Sequence, residues 1–135
     1  MFAARREHIA NVIKPALERG AYVLSDRFTD ASFAYQSGAK GVPANKVEIL
    51  EQWVQEDLQP DLTLLFDVPV EVSIARLAGA RSPDKFERES AEFFTKIRNA
   101  YLQRANQNPQ RFRVIDASKP LDEVAKAVKD IVATI

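Results

Sequence analysis

Apolar residues recur at the helical period in five stretches of the chain, with charged residues at the positions between them. This pattern predicts five amphipathic helices, at about residues 1–19, 46–58, 69–78, 87–105 and 121–132. Gly20 is expected to end the first helix, because glycine adopts the left-handed conformation that follows many helix ends. Pro15 is expected to bend the same helix.

Three short apolar runs lie between these helices, at residues 22–24, 62–68 and 112–115. Short runs of this kind are typical of strands that are covered on both faces, as strands of parallel sheets are. Alternation with helices predicts an α/β fold, in which right-handed crossovers connect a parallel sheet with flanking helices. The three runs lead to aspartates, at positions 26, 67 and 116. Open sheets of this class bind ligands at the edge where these aspartates are expected.

The composition narrows the range of functions. A length of 135 residues, with 46% hydrophobic and 28% charged residues, suits one globular domain over residues 1–135. Nineteen basic residues balance nineteen acidic ones, so no overall positive field favours nucleic acid as a partner. The chain has no cysteine and one histidine, which excludes disulfides, thiolate metal sites and multi-histidine zinc sites.

No apolar run approaches the roughly 20 residues that a membrane-spanning helix needs. The charged start of the chain is unlike a secretory signal peptide. A cytoplasmic location without a membrane partner is therefore the expectation.

The most informative polar residues follow the first apolar run. Asp26 and Arg27 come directly after it, and Ser32, Tyr35 and Gln36 follow within ten residues. The guanidinium fork of an arginine can hold two phosphate oxygens, and an aspartate beside it can orient the fork or hold a hydrated metal ion. From spacing alone, an ordinary surface ion pair is the favoured explanation of Asp26 and Arg27, because such pairs are common.

Residues 26–36, which read D-R-F-T-D-A-S-F-A-Y-Q, resemble the substrate segment of bacterial thymidylate kinases, D-R-F-T-D-S-T-x-A-Y-Q. Four further segments resemble the same family in the same order, namely residues 2–5, 60–64, 84–87 and 114–117. The resemblance covers essentially the whole chain. It implies the fold of P-loop nucleoside monophosphate kinases.

The resemblance also implies an activity, the ATP-dependent phosphorylation of dTMP to dTDP in dTTP synthesis, with magnesium (Mg²⁺) as the metal ion. By position, Arg27 is expected to hold the dTMP phosphate, and Asp26 to support Mg²⁺ and the reacting phosphates. Arg5 is expected to reach the phosphate or the base of dTMP. Little covalent chemistry is required of the protein in phosphoryl transfer, which depends on positioning and on neutralising charge.

Other positions of the resemblance concern the nucleoside. Ser32 and Gln36 are expected to bond the thymine edge. Tyr35 is expected to pack near the sugar or in the core, and Phe2 is expected to stack on thymine or to lie in the core. Residues 37–41 depart from the glycine-rich family pattern, with alanine and lysine at positions 39 and 40.

Residues 79–85 resemble the family's lid, which in many bacterial members supplies a cation to the transferred phosphoryl group. Arg81 is the first candidate for that cation, followed by Arg76 and Lys85. A solvated loop charge is the alternative interpretation of Arg81.

One family feature is missing from the sequence. No Gly-x-x-x-x-Gly-Lys-Ser/Thr occurs, and the four glycines, at 20, 38, 41 and 79, cannot form one. In the family this loop cradles ATP phosphates after the first strand, and that strand lies between the strands expected near residues 22–25 and 62–67. We therefore expect the C-terminal portion of a thymidylate kinase that lacks the first strands and is inactive alone.

Three further expectations remain open at this stage. The chain is alternatively a truncated, non-catalytic fragment or interaction module, or a related nucleotide kinase with another substrate. Family members are commonly homodimers, which the apolar faces of residues 2–17 or 47–58 would provide.

Overall fold

The computed structural model describes residues 1–78 and 91–135. They form two compact units, Met1–Gln59 and Pro60–Ile135. The first unit is helical. The described residues of the second unit, 60–78 and 91–135, form two strands, β1 (Thr63–Asp67) and β2 (Phe112–Asp116), and three helices. The single domain expected over residues 1–135 stays a prediction.

The N-terminal helix covers residues 2–18 as three consecutive segments, Phe2–His8, Ile9–Ile13 and Lys14–Glu18. The middle segment has the wider π-type winding. In a regular α-helix the ring of Pro15 clashes with the carbonyl group four residues earlier, and the wide turn lies directly before this proline. Gly20 follows the helix with φ of +76°, which confirms its predicted role as the terminator.

The helix Ala44–Gln55 packs against the N-terminal helix. The prediction of a helix at 46–58 is confirmed, but the helix begins two residues earlier and ends three residues earlier. Ile9, Ile13 and Val54 form the buried centre of this contact. Four partly buried side chains pack around it, namely Phe2, Val23, Phe28 and Leu58. The apolar stripe predicted for the first helix thus forms the core of this unit.

A helix that the sequence pattern did not predict covers residues 29–39, as the segments Thr29–Ser32 and Phe33–Ala39. Asp30 lies in its first turn, where the positive end of the helix dipole stabilises a negative charge. Gly41, with φ of +74°, donates its N–H to the carbonyl of Ser37 and follows the helix end. The polar residues Ser32, Tyr35 and Gln36 are therefore helical, whereas the sequence pattern predicted no helix or strand for them.

The predicted first strand at residues 22–24 is wrong. In the described structure these residues are extended but belong to no strand, and Tyr22 and Leu24 are 89% and 99% exposed. A parallel strand needs a neighbouring strand for its N–H and C=O groups and a cover over its faces. Without either, Tyr22 and Leu24 remain exposed to water, whereas Val23 packs against the core.

The second unit contains the predicted parallel pair. Strands β1 and β2 run in register from Thr63 opposite Phe112 to Asp67 opposite Asp116. Among the described residues of this unit, the helices are Val70–Ala78, Ala91–Gln107 and Leu121–Val132. The last of them has the predicted bounds. The predicted start of the long helix at residue 87 and the lid at residues 79–85 lie outside the described residues.

None of the helices in the described ranges, 1–78 and 91–135, is both long enough and apolar enough to cross a membrane.

Candidate functional site

The best-defined polar cluster of the first unit surrounds Arg5. Its Nη2 donates to Ser32 Oγ at 3.0 Å and to the carbonyl of Phe28 at 3.4 Å. Its guanidinium carbon lies 4.8 Å from the centre of the Phe2 ring and 5.2 Å from that of Phe28. Two aromatic faces and one hydroxyl thus hold this cation in a fixed position.

Arg5 has remaining capacity to bind a ligand. Within residues 1–78 and 91–135, Arg5 Nη1 is buried and has no hydrogen-bond partner. Burial lowers the pKa of Arg5, while the charges of Glu51 and Asp30 act in the opposite direction. The group remains a cation, because an arginine pKa lies several units above neutrality. A buried donor without a partner costs free energy, so an acceptor placed beside Nη1 would be favoured.

The short helix segment Thr29–Ser32 supplies three buried polar side chains next to Arg5. Thr29, Asp30 and Ser32 are 2%, 6% and 2% exposed. In the described structure Thr29 Oγ1 has no partner. Buried polar groups are usually satisfied, so a buried hydroxyl without a partner is a second feature that suits a polar ligand.

Phe28 is a residue of this cluster to which the sequence analysis gave no role. Its ring faces the Arg5 guanidinium and its carbonyl accepts the Arg5 hydrogen bond. The sequence feature that could have pointed to Phe28 is its position inside the motif at residues 26–36, between Arg27 and Thr29. An aromatic residue beside a charged motif is usually assigned to the core, and Phe28 does also pack against the core.

Arg27 lies beside Tyr35. Its guanidinium carbon is 5.4 Å from the centre of the Tyr35 ring. Arg27 has φ of +64°, a conformation that non-glycine residues seldom adopt and that clusters at functional sites. Ser25 Oγ donates to its carbonyl at 3.0 Å, which supports this turn. The side chain of Arg27 is exposed, so its charge is accessible to a ligand.

The remaining predicted residues of this unit are placed as follows. Asp26 is exposed beside Arg27, and Gln36 is partly buried in the helix that holds Ser32 and Tyr35. Phe2 packs against the core and under Arg5, so its stacking on thymine stays a prediction.

Neither described range contains a group of three or more histidine, aspartate or glutamate side chains that would ligate a metal ion. One exposed carboxylate such as Asp26 is nevertheless a suitable protein ligand for Mg²⁺, because that ion keeps several waters and takes further oxygens from phosphates.

The second unit has its own polar cluster, at the carboxyl edge of the sheet. Arg98 donates from Nε and Nη2 to the two carboxylate oxygens of Asp67, at 2.7 and 2.9 Å. These bonds hold the pKa of Asp67 below its usual value, although burial and the neighbouring Asp116 oppose the shift. The bonds therefore stabilise the fold above the unfolded-state pKa, near 3.8, and this contribution is lost as the pH falls through the lower folded value.

Arg76, one of the three lid candidates, lies in this second cluster. Its Nη1 donates to the carbonyl of Ala117 at 2.8 Å and its Nη2 to that of Ser118 at 3.2 Å. The other two candidates, Arg81 and Lys85, lie outside the described residues.

Comparisons with known proteins agree on one family. The family model for thymidylate kinase matches residues 1–128. The chain is 74% identical to the thymidylate kinase of Methylobacillus flagellatus over 131 residues, which are 97% of this chain and 64% of that protein. It is 64% identical to the thymidylate kinase of Cupriavidus metallidurans over 135 residues, 100% of this chain and 68% of that protein.

A solved structure has a similar fold. The crystal structure of thymidylate kinase from Ehrlichia chaffeensis matches with a TM-score of 0.73 and 28% identity, over 98% of this chain and 60% of that one.

The chain spans about two thirds of the length of the two curated relatives, with values of 64% and 68%.

Proposed function

Because the chain belongs to the thymidylate kinase family, we propose that it carries the dTMP-binding part of an ATP-dependent dTMP kinase. The carrying observation is the geometry of Arg5, a partly buried cation between two aromatic rings that is bonded to Ser32 and whose buried Nη1 has no hydrogen-bond partner in the described structure. Aromatic faces suit a nucleobase, and the cation and the hydroxyl suit its polar edge or a phosphate.

Arg27 is the proposed holder of the dTMP phosphate. Its exposed guanidinium has the planar fork that matches two phosphate oxygens. Tyr35, whose ring faces that guanidinium, would limit the orientations of the fork and pack beside the sugar. Gln36 and Ser32, on the same helix, are proposed to bond the thymine edge.

Asp26 is the proposed ligand of Mg²⁺, directly or through water. The ion, when bound, neutralises charge on the reacting phosphates of ATP and dTMP. Arg81, with Arg76 and Lys85 as the other candidates, is proposed to act on the transferred phosphoryl group. The protein's contribution is to hold two anions in line and to offset their charge.

The printed sequence contains no phosphate-binding loop. That loop holds ATP phosphates with backbone N–H groups and a lysine. We therefore propose that these 135 residues, taken alone, bind dTMP but turn it over slowly or not at all. Steady formation of dTDP by the purified chain with ATP and Mg²⁺ would contradict this part of the proposal.

We expect dTMP to stabilise the chain against heat more than dCMP, dGMP or AMP does, at equal concentrations. A ligand at 100 times its Kd stabilises the folded state by about 2.7 kcal/mol, which raises Tm by several degrees. The measurement is a thermal-unfolding series with the four nucleotides. A larger shift with another nucleotide would favour a related kinase, and no shift with any would favour a non-catalytic fragment or interaction module.

The proposed assembly is a homodimer that forms through the helix Ala44–Gln55. Ile49 and Trp53 lie one turn apart on Ala44–Gln55 and are 61% and 78% exposed. Val12, on the N-terminal helix, is also exposed. Large exposed apolar side chains in adjacent turns are typical of interaction surfaces. The apolar composition of residues 47–58 thus supports the homodimer expected from the family.

Trp53→Glu is expected to convert the dimer to a monomer, because a carboxylate at the centre of an apolar interface is left without water or a partner. The measurement is the molar mass from light scattering during size-exclusion chromatography. Gln52→Glu, at the adjacent exposed position, is the matched control and is expected to remain dimeric. A parent chain that is monomeric at micromolar concentration would contradict the assembly.

A cytoplasmic location is proposed together with this function, since its nucleotide substrates are metabolites of that compartment.

A further inference from the structure

Two arginines connect two helices of the second unit to the same edge of the sheet. Arg98, on Ala91–Gln107, binds both carboxylate oxygens of Asp67. Arg76, on Val70–Ala78, binds the carbonyls of Ala117 and Ser118 in the turn after β2. Each helix therefore has one two-point polar connection to the carboxyl ends of the strands.

The two connections meet at Asp67. Its side chain accepts from Arg98, and its carbonyl accepts from the N–H of Ala117 at 2.7 Å. Ala117 in turn provides its carbonyl to Arg76. The turn after β2 is itself held by Asp116, whose Oδ1 accepts from the N–H of Ser118 at 3.0 Å. A continuous set of hydrogen bonds thus runs from one helix, through both strand ends, to the other helix.

We propose that Asp67 is a positioning residue, which with Arg98 and Arg76 fixes the relative placement of the helices Val70–Ala78 and Ala91–Gln107 at the sheet edge. The value of this placement for phosphoryl transfer rests on the proposed function. The placement itself does not, because it depends on hydrogen bonds within one unit.

The geometry separates this pair from an ordinary surface ion pair. Arg98 and Asp67 make two parallel bonds between a fork and a carboxylate, and the Asp67 side chain is partly buried, with 20% of its surface exposed. Lys96 and Glu92, on the same helix as Arg98, are 2.6 Å apart but are exposed and four residues apart in sequence. That pair connects the helix only to itself, so it is a suitable control.

The test uses the absence of cysteine from the chain. Cysteines introduced at the exposed positions Ile74 and Asn99, one on each helix, carry nitroxide spin labels, and pulsed dipolar spectroscopy gives the distribution of distances between them. The parent is expected to give one narrow distribution. Asp67→Asn is expected to give a broad distance distribution. An asparagine side chain has one acceptor oxygen, so it cannot accept both hydrogen bonds of the Arg98 fork as the carboxylate does.

Two further variants keep the outcome decisive. Arg98→Lys retains the charge but not the fork, so it is expected to give an intermediate width. Lys96→Met is expected to leave the parent distribution unchanged. A helical circular dichroism signal equal to that of the parent, recorded before the samples are frozen, shows that each variant is folded. A narrow distribution in folded Asp67→Asn would overturn the proposal, because a pair that only adds stability does not alter the width far below Tm.

The same variants separate this proposal from the proposed function. The dTMP-induced Tm shift arises from residues of the first unit, so it is expected to persist in Asp67→Asn. A parent that gives no dTMP shift but a narrow distribution that Asp67→Asn broadens would refute the dTMP site and support the positioning role. If dTMP raises the Tm of the parent but Asp67→Asn leaves the distance distribution narrow, the dTMP site is supported and the positioning role is refuted.

Discussion

Arg5→Met is expected to weaken dTMP binding by about 10- to 150-fold, the equivalent of losing hydrogen bonds from one charged group at about 1.5–3 kcal/mol. Methionine keeps most of the side-chain length between the Phe2 and Phe28 rings, so the cluster retains its packing. What it removes is the charge, the bond to Ser32 Oγ and the Nη1 that has no partner in the described structure. Isothermal titration with dTMP measures the change.

Arg6→Met is the matched control for Arg5. Arg6 is the next residue of the same helix, is exposed, and binds Glu56 and the carbonyl of Val54. Its substitution removes one cation from the chain without touching the cluster around Arg5. The dTMP affinity of Arg6→Met should equal that of the parent chain. Equal losses in both variants would mean that overall charge, and not the Arg5 site, determines binding.

Arg27→Asn is expected to weaken dTMP binding by about 10- to 150-fold and to leave thymidine binding unchanged, since thymidine has no phosphate for the fork to hold. Asparagine is chosen because Arg27 has φ of +64°, a value that asparagine tolerates better than alanine does. The measurement compares the two ligands by titration in the parent and in the variant. The ratio of their affinities isolates the phosphate contact.

Arg19→Asn serves as the control for Arg27, because Arg19 is an exposed cation after the end of the N-terminal helix. It should change neither affinity. If Arg27→Asn weakens thymidine and dTMP equally, Arg27 supports the turn and does not hold the phosphate. That result would also transfer the role of phosphate holder to another cation, for which Arg5 is the next candidate.

Much of the helical structure follows from apolar periodicity. The helix Leu121–Val132 has its predicted bounds, because its apolar stripe is regular and Pro120 and the C-terminal residues delimit it. Gly20 ends the first helix as predicted. The strand ends at Asp67 and Asp116 were also predicted, since both runs are apolar up to the aspartate region. These are elements whose own sequence determines where they begin and end.

The two main errors concern residues 22–39. The run 22–24 has the composition of a buried strand, but a strand also requires a neighbour, which a local pattern cannot show. The helix 29–39 was missed because small and polar residues dilute its apolar stripe and because Phe33–Ala39 is wound with the π-type period. The first error arises from information outside a short sequence window, and the second from a local pattern that the regular helical period does not fit.

The site was predicted by family resemblance more than by pattern. Arg5 and Ser32 are 27 positions apart, and no periodicity joins them, yet their side chains are 3.0 Å apart. The resemblance named both residues. It gave no role to Phe28, whose carbonyl and ring complete the cluster. It also did not show that Arg76, which stays a candidate for the lid cation, donates to carbonyls of the turn after β2. Contacts made by main-chain atoms are invisible to residue motifs.

The exposed run of Tyr22 and Leu24 has a practical consequence for handling the chain. An extended apolar segment that belongs to no strand in the described structure can pair through its N–H and C=O groups with the same segment of another molecule, as strands do in aggregates. The same exposure makes the bonds after these residues accessible to chymotrypsin-like proteases. Solubility and proteolytic lifetime of the chain are therefore expected to depend on this segment, which connects the N-terminal helix to the helix at residues 29–39.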